Sequence, residues 1–162
     1  MHTFVKSIAV ALLSFTVSAV SAPPAPAAPD IFQAMAGKWR GWGDVLLNTG
    51  QTERVRCHAS YALTGAGRNL SQNLKCAGAG YTFHVTASLR AVGQNLQGQF
   101  SESTNGLSGS ISGRANGSNL DLTVVGSGFT ASMSMLVKDG RQSVRISPDA
   151  SEIRNIEVNL NR

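Results

Sequence analysis

The sequence predicts an all-β domain, an antiparallel up-and-down β-barrel of about eight to ten short strands with one short N-terminal helical turn. Apolar and polar residues alternate with a period of two in one segment after another, as they do in strands with one buried face. Short turns rich in Gly, Asn, Ser and Asp separate these segments. A sheet with one apolar face must close on itself or stack on a second sheet, and closure also removes exposed strand edges.

The first 29 residues are expected to lie outside the folded domain. Residues 1–22 have the layout of a cleaved signal peptide, with a basic start, an apolar stretch too short to span a bilayer, and small residues before the cleavage point. Cleavage after Ala22 and cleavage after Ala19 both fit the pattern. Residues 23–29 form a Pro/Ala-rich linker, and residues 30–162 form the barrel domain. The protein is therefore predicted to be periplasmic or secreted.

The folded domain begins with a short helical turn at residues 30–35, which Asp30 can cap. Every later segment has strand character. The predicted strands are 37–47, 52–63, 69–76, 80–90, 95–102, 106–115, 119–125, 128–137, 141–147 and 154–161.

The two cysteines support a hairpin register. A turn centred on Ala66-Gly67 places Tyr61 opposite Gln72 and Cys57 opposite Cys76. Facing residues of an antiparallel pair have a Cα separation that a disulfide can bridge, and an exported chain favours disulfides. The sequence therefore predicts a Cys57–Cys76 disulfide.

The other turns give registers in which an apolar residue or Gly faces an apolar residue, and a slip by one position would turn these side chains to the wrong face. The predicted pairs are Val45–Val55, Leu74–Phe83, Leu89–Leu96, Val85–Phe100, Ala115–Leu120, Gly113–Leu122, Ile111–Val124, Met135–Val144 and Met133–Ile146.

Barrel closure requires the two ends of the meander to meet. The last strand, with Ile156, Val158 and Leu160 on its inner face, is predicted to pair with the first strand near residues 39–45. Several glycines fall on the inner face, where they permit the sharp bends of a small barrel. They are Gly41, Gly43, Gly98, Gly109 and Gly113.

The string Gly37-Lys38-Trp39-Arg40-Gly41-Trp42-Gly43 resembles the start of calycin-like barrels, namely the Gly-x-Trp of lipocalins and the Gly-x-Trp-x-Gly-x-Gly of nitrobindin-like proteins. The resemblance implies that Trp39 packs at the closed end of the barrel, against a basic residue of the last strand. Arg162 and Arg154 are the candidates for that partner. Nitrobindin-like proteins bind haem through a His near the chain's end, but this chain has no His after His84. No cofactor is therefore expected.

Composition narrows the functional classes. The net charge is +5 at pH 7, but no run of Lys or Arg exists, so nucleic-acid binding is not expected. No Gly-x-Ser-x-Gly motif is present, and the disulfide leaves no free thiol, so the protein is expected to be non-enzymatic. A site built on paired carboxylates is not expected either, because the acidic residues are predicted to occupy outward or turn positions: Asp44, Glu53, Glu102, Asp121, Asp139 and Glu157.

The first functional hypothesis is a barrel that binds a small apolar ligand, in a pocket open at the end away from Trp39. Large inward residues line such a pocket, or they simply fill the barrel. The candidate ligand-binding residues are Trp39, Tyr61, Gln72, Phe83, Phe100, Phe129, Met133 and Met135.

The alternative hypothesis is an interaction or inhibitor-type protein of the cell envelope, acting through a basic outer face. Such a face with an exposed Trp suits an anionic partner, although a solvated sheet face has the same composition. The candidate patch consists of Arg40, Trp42, Arg54, Arg56, His58 and Lys75.

Overall fold

The computed structural model describes residues 30–149 and 151–162; the predicted signal peptide and linker lie outside the described residues. The chain forms one short helix followed by ten strands. They are α1 (Asp30–Met35), β1 (Gly37–Leu47), β2 (Thr52–Thr64), β3 (Asn69–Ala77), β4 (Thr82–Val92), β5 (Asn95–Glu102), β6 (Leu107–Asn116), β7 (Asn119–Gly126), β8 (Phe129–Lys138), β9 (Arg141–Pro148) and β10 (Ile153–Asn161).

The ten strands form a closed antiparallel barrel in which each strand pairs with the next along the chain. β1 also pairs with β10, with Gly43 opposite Val158 and Val45 opposite Ile156. The predicted fold class and the predicted closure are thus confirmed. The alternating burial of each strand follows from its period-two sequence, because successive side chains point to opposite sides of the barrel wall.

The disulfide hairpin has the predicted register. Cys57 lies opposite Cys76, and Tyr61 lies opposite Gln72. The two cysteines are bonded, with their Cα atoms 4.1 Å apart, and both are buried on the inner face. The predicted β6–β7 and β8–β9 registers are confirmed as well.

Three predicted registers are wrong, each by two residues. Val45 faces Glu53 instead of Val55, Leu74 faces Val85 instead of Phe83, and Leu89 faces Gly98 instead of Leu96. The β4–β5 shift also places Ala87, not Val85, opposite Phe100. A slip of two residues keeps every side chain on the same face, so the apolar pattern does not distinguish the two registers.

Helix α1 closes the end of the barrel where β1 begins. Its Ile31, Phe32 and Met35 side chains are buried, and the Trp39 indole Nε1 donates a hydrogen bond to the Met35 carbonyl at 2.7 Å. The Arg162 guanidinium lies 5.0 Å from the centre of the Trp39 ring. Arg162 is thus the basic partner of Trp39. We call this the closed end, and the opposite end the mouth.

Inward glycines are required where strands approach closely. A Cβ atom at Gly41 would overlap the backbone carbonyl of Asn159 on β10, and one at Gly98 would overlap the carbonyl of Ser88 on β4. Neither backbone oxygen can move without disrupting its strand. These two positions therefore support the predicted role of inward glycines in bending the wall.

Candidate functional site

The barrel encloses a cavity of about 410 Å³. Met35 of α1 forms its floor, the wall comes mainly from β3 to β10, and its upper part reaches the mouth loops at Gly128 and Ser151. The cavity therefore opens at the end away from Trp39. Most of the lining is aliphatic or aromatic, because the inner face of each strand is apolar.

Large inward side chains near the mouth remain partly exposed. Phe83, Phe100, Phe129 and Met133 line the cavity and are only half-buried, although they point into the barrel. The rings of Phe100 and Phe129 meet edge to face, with their centres 6.2 Å apart. The mouth half of the barrel thus presents an aromatic surface that no other side chain covers completely.

The structure places most of the predicted ligand-binding residues in one wall. Gln72, Phe83, Phe100, Phe129, Met133 and Met135 all line the cavity. Trp39 and Tyr61 do not. Trp39 packs beneath the floor against α1, and the Tyr61 hydroxyl is held by Gln142 rather than by the facing Gln72.

Tyr61, Gln142 and Met135 form a buried polar cluster near the closed end. Gln142 Nε2 lies 2.9 Å from the Tyr61 hydroxyl oxygen and 2.9 Å from the Met135 sulfur. Burial raises the pKa of Tyr61 to about 12, against a smaller opposing effect of the Gln142 hydrogen bond, so the phenol is neutral. The sequence reasoning missed Gln142, although it alternates in phase with the inward Val144.

Glu102 lies at the mouth, and the prediction that it occupies an outward or turn position was wrong. It is buried and lines the cavity. Its carboxylate accepts hydrogen bonds from the backbone N–H groups of Thr104 at 2.7 Å, Asn105 at 2.8 Å and His84 at 3.2 Å, and from the Asn105 side chain at 2.9 Å. The alternation Leu96, Gly98, Phe100, Glu102 already placed it on the inner face.

The hydrogen bonds set the protonation state of Glu102. Burial acts to raise the pKa of this carboxyl group, but the N–H groups of Asn105, Thr104 and His84 together outweigh it and lower the pKa to about 2. Glu102 is therefore ionised at neutral pH, and its carboxylate holds the β5–β6 loop at the mouth through hydrogen bonds.

A second set of contacts joins the β3–β4 and β9–β10 loops at the mouth. The Glu53 carboxylate accepts hydrogen bonds from the backbone N–H groups of Gly80 and Tyr81, which fixes the β3–β4 loop against β2. The Tyr81 hydroxyl donates to Glu152 at 3.2 Å, and this contact links the β3–β4 loop to the β9–β10 loop. The Tyr81 ring also stacks on Phe83, a cavity residue, with ring centres 6.0 Å apart. Carboxylate hydrogen bonds thus hold three loops of the mouth in place, namely β3–β4, β5–β6 and β9–β10.

The predicted basic patch lies on the outer face of β1, β2 and β3, and all of its side chains are exposed. Arg40, His58 and Lys75 form one row across the three strands, and Trp42 lies opposite Arg56 in the next row. Asp44 lies opposite Arg54, because the β1–β2 register is shifted by two residues from the predicted Val45–Val55 pairing.

Comparisons with known proteins identify the fold. Rv2717c from M. tuberculosis superposes with a TM-score of 0.65 at 12% identity, covering 83% of this chain and 98% of the other. The S-type phycobiliprotein lyase CPES from Guillardia theta superposes with a TM-score of 0.62 at 8% identity, covering 82% of this chain and 90% of the other.

Sequence comparisons add no family assignment. No protein-family model matches the chain, and no curated protein matches it. In the part of the chain that the structure describes, no helix is long and apolar enough to cross a bilayer. The chain shares its barrel fold with proteins of very different sequence.

Proposed function

We propose that this protein is a non-enzymatic, exported barrel that holds a small apolar molecule in its cavity. The observation that carries the proposal is the open cavity of about 410 Å³ with partly exposed aromatic and thioether side chains. Small-molecule sites are typically pockets of about 300–1,000 Å³ with mostly apolar walls and few polar groups. Protein interiors are otherwise packed closely, so an apolar space of this size suits an occupant.

The wall favours an uncharged ligand with a flat or flexible apolar body. Phe100 and Phe129 offer edges and faces for ring contacts, and Met133 adapts its shape to irregular contents. Gln72 is the uncharged polar side chain that the wall strands contribute, and its amide can donate a hydrogen bond to such a ligand or accept one from it. Glu102 is less suitable, because four N–H groups already engage its carboxylate.

The chemistry of the wall also supports a binding role over catalysis. Within the described part of the wall, Glu102 is the only carboxylate, and its lowered pKa makes it a poor proton donor and a weak base at neutral pH. The exported location rests on the signal-peptide layout of residues 1–22 and on a disulfide that suits an oxidising compartment.

The experiment is a fluorescence titration with a neutral, environment-sensitive apolar dye, because an anionic dye would also bind the basic outer face. Met133→Trp narrows the cavity, and Ser132→Trp adds the same ring on the outer face of the same strand. The wild type and Ser132→Trp should enhance the dye's fluorescence with similar affinity, whereas Met133→Trp should weaken binding at least tenfold. The proposal is wrong if the folded wild type gives no enhancement, or if both variants bind as the wild type does.

A further inference from the structure

Trp42 is an exposed aromatic residue held between arginines on the outer face of the barrel. Its side chain is 43% exposed. The guanidinium carbon of Arg56 lies 4.6 Å from the centre of the indole ring, and that of Arg54 lies 5.2 Å from it. Stacking on the ring holds each guanidinium group in place while leaving its N–H groups free for an anion.

No side chain of the basic patch forms an ion pair within 4.0 Å with another described residue. Among the described residues, the ion pair within 4.0 Å joins Arg145 to Glu157, outside the basic patch. Asp44 is the acidic residue that faces the patch from β1, and it forms no such pair with Arg54. One row of the patch consists of Arg40, His58 and Lys75, and the next row contains Trp42 and Arg56. Because neighbouring strands lie about 4.8 Å apart, the two rows form a continuous basic surface on the barrel wall.

We propose that the basic patch docks the barrel on the surface of an anionic phospholipid bilayer. Clustered cations are attracted to anionic headgroups, and the free guanidinium N–H groups match phosphate oxygens. An indole ring is amphipathic and suits the boundary between headgroups and acyl chains. A nucleic acid fits less well, because the guanidinium groups that stack on Trp42 compete with a base for the ring.

This docking does not depend on the cavity, and the two proposals can fail separately. The patch is on the side wall formed by β1 to β3, whereas the lining of the cavity comes from β3 to β10 and α1. A protein with an empty barrel can still bind a membrane through this face.

The test measures binding to vesicles of phosphatidylcholine alone and of phosphatidylcholine with phosphatidylglycerol, by cosedimentation and by tryptophan fluorescence. Trp39 is 2% exposed and Trp42 is 43% exposed, so a change in emission on binding reports mainly Trp42. We expect cosedimentation and a blue shift only with the anionic vesicles, and both effects should weaken as salt concentration rises. Trp42→Phe should remove the blue shift while retaining measurable cosedimentation.

Two charge-reversed double variants distinguish the effect of the patch on vesicle binding from the effect of the protein's net charge. Arg54→Glu with Arg56→Glu alters the patch, and Lys138→Glu with Arg141→Glu makes the same change in charge at exposed residues of the β8–β9 hairpin. We expect the first variant to lose at least tenfold in vesicle affinity and the second to lose less than threefold. Circular dichroism establishes that each variant is folded.

Three results would overturn the proposal. One is equal loss in the two double variants, and another is equal binding to both kinds of vesicle. The third is binding to duplex DNA or polyglutamate, but not to anionic vesicles, which would assign the patch to another polyanion.

Discussion

Glu102→Gln removes the charge that organises the mouth of the barrel while keeping the size of the side chain. The folded-state pKa of Glu102 is about 2, against an ordinary value of 4.5. Each pKa unit corresponds to about 1.4 kcal/mol, so the ionised carboxylate contributes at most about 3.5 kcal/mol to stability at neutral pH. The variant should lose about 2–3 kcal/mol at pH 7, because an amide accepts fewer of the four hydrogen bonds and places an NH₂ group against N–H donors.

The pH dependence follows from the sign of the shift. The folded-state pKa is lowered, so the contribution is fully present above about pH 4.5 and is lost as the pH falls through this value toward 2. The stability of the wild type should therefore approach that of Glu102→Gln on acidification.

Urea unfolding at pH 7, 4 and 2.5, followed by the fluorescence of buried Trp39, measures this difference. Glu157→Gln is the control, because Glu157 makes an exposed ion pair with Arg145 and should change stability by less than about 1 kcal/mol. A single hydrogen bond typically contributes about 1 kcal/mol, so the reasoning is refuted if Glu102→Gln lowers the free energy of unfolding at pH 7 by less than about 0.5 kcal/mol. It is also refuted if the difference in stability between the variant and the wild type does not shrink in acid.

Two further changes test the closed end and the hairpin. Arg162 Nη2 lies 2.7 Å from the carbonyl oxygens of Ala34 and of Ala36. Arg162→Ala should therefore lower the free energy of unfolding by about 1–2 kcal/mol, and Arg162→Lys should recover only part of this loss. An unchanged urea midpoint for Arg162→Ala would contradict this role. Replacing both Cys57 and Cys76 by Ala should cost about 3 kcal/mol, because the disulfide closes a loop with a sequence separation of 19. A reducing agent should destabilise the wild type similarly and leave the double variant unaffected; equal sensitivity of both proteins would contradict the disulfide's role.

The registers of β2–β3, β6–β7 and β8–β9 were predicted correctly, and those of β1–β2, β3–β4 and β4–β5 were not. Asp139-Gly140 and Ala66-Gly67 contain residues with positive φ, and their hairpins were predicted correctly. The β1–β2 and β3–β4 connections, of four residues each, left two registers that satisfy the same apolar pattern. The β2–β3 connection is equally long, but there the facing cysteines select one register. The β4–β5 hairpin was also shifted, although a two-residue turn at Gly93-Gln94 connects its strands.

The candidate site was predicted in part. Phe83, Phe100, Phe129 and Met133 were identified because inward alternation is visible within each strand, and the structure places them in one wall. Glu102 follows the same alternation but was excluded because it is charged. The four N–H groups that make its burial possible come from the chain beyond the end of β5 and from β4.

The sequence by itself determined the strands, the face that each side chain occupies, the disulfide and the need for closure, because these depend on alternation and turns within a few residues. The tertiary structure decided which distant residues meet. Tyr61 reaches Gln142 across 81 positions, and Arg162 reaches Ala34 across 128. It also decided that the barrel holds a cavity of about 410 Å³, since that space depends on how side chains of nearly every strand pack against α1. Local alternation specifies which face of the barrel wall each side chain occupies, but the cavity volume and the long-range contacts are set only when the barrel closes.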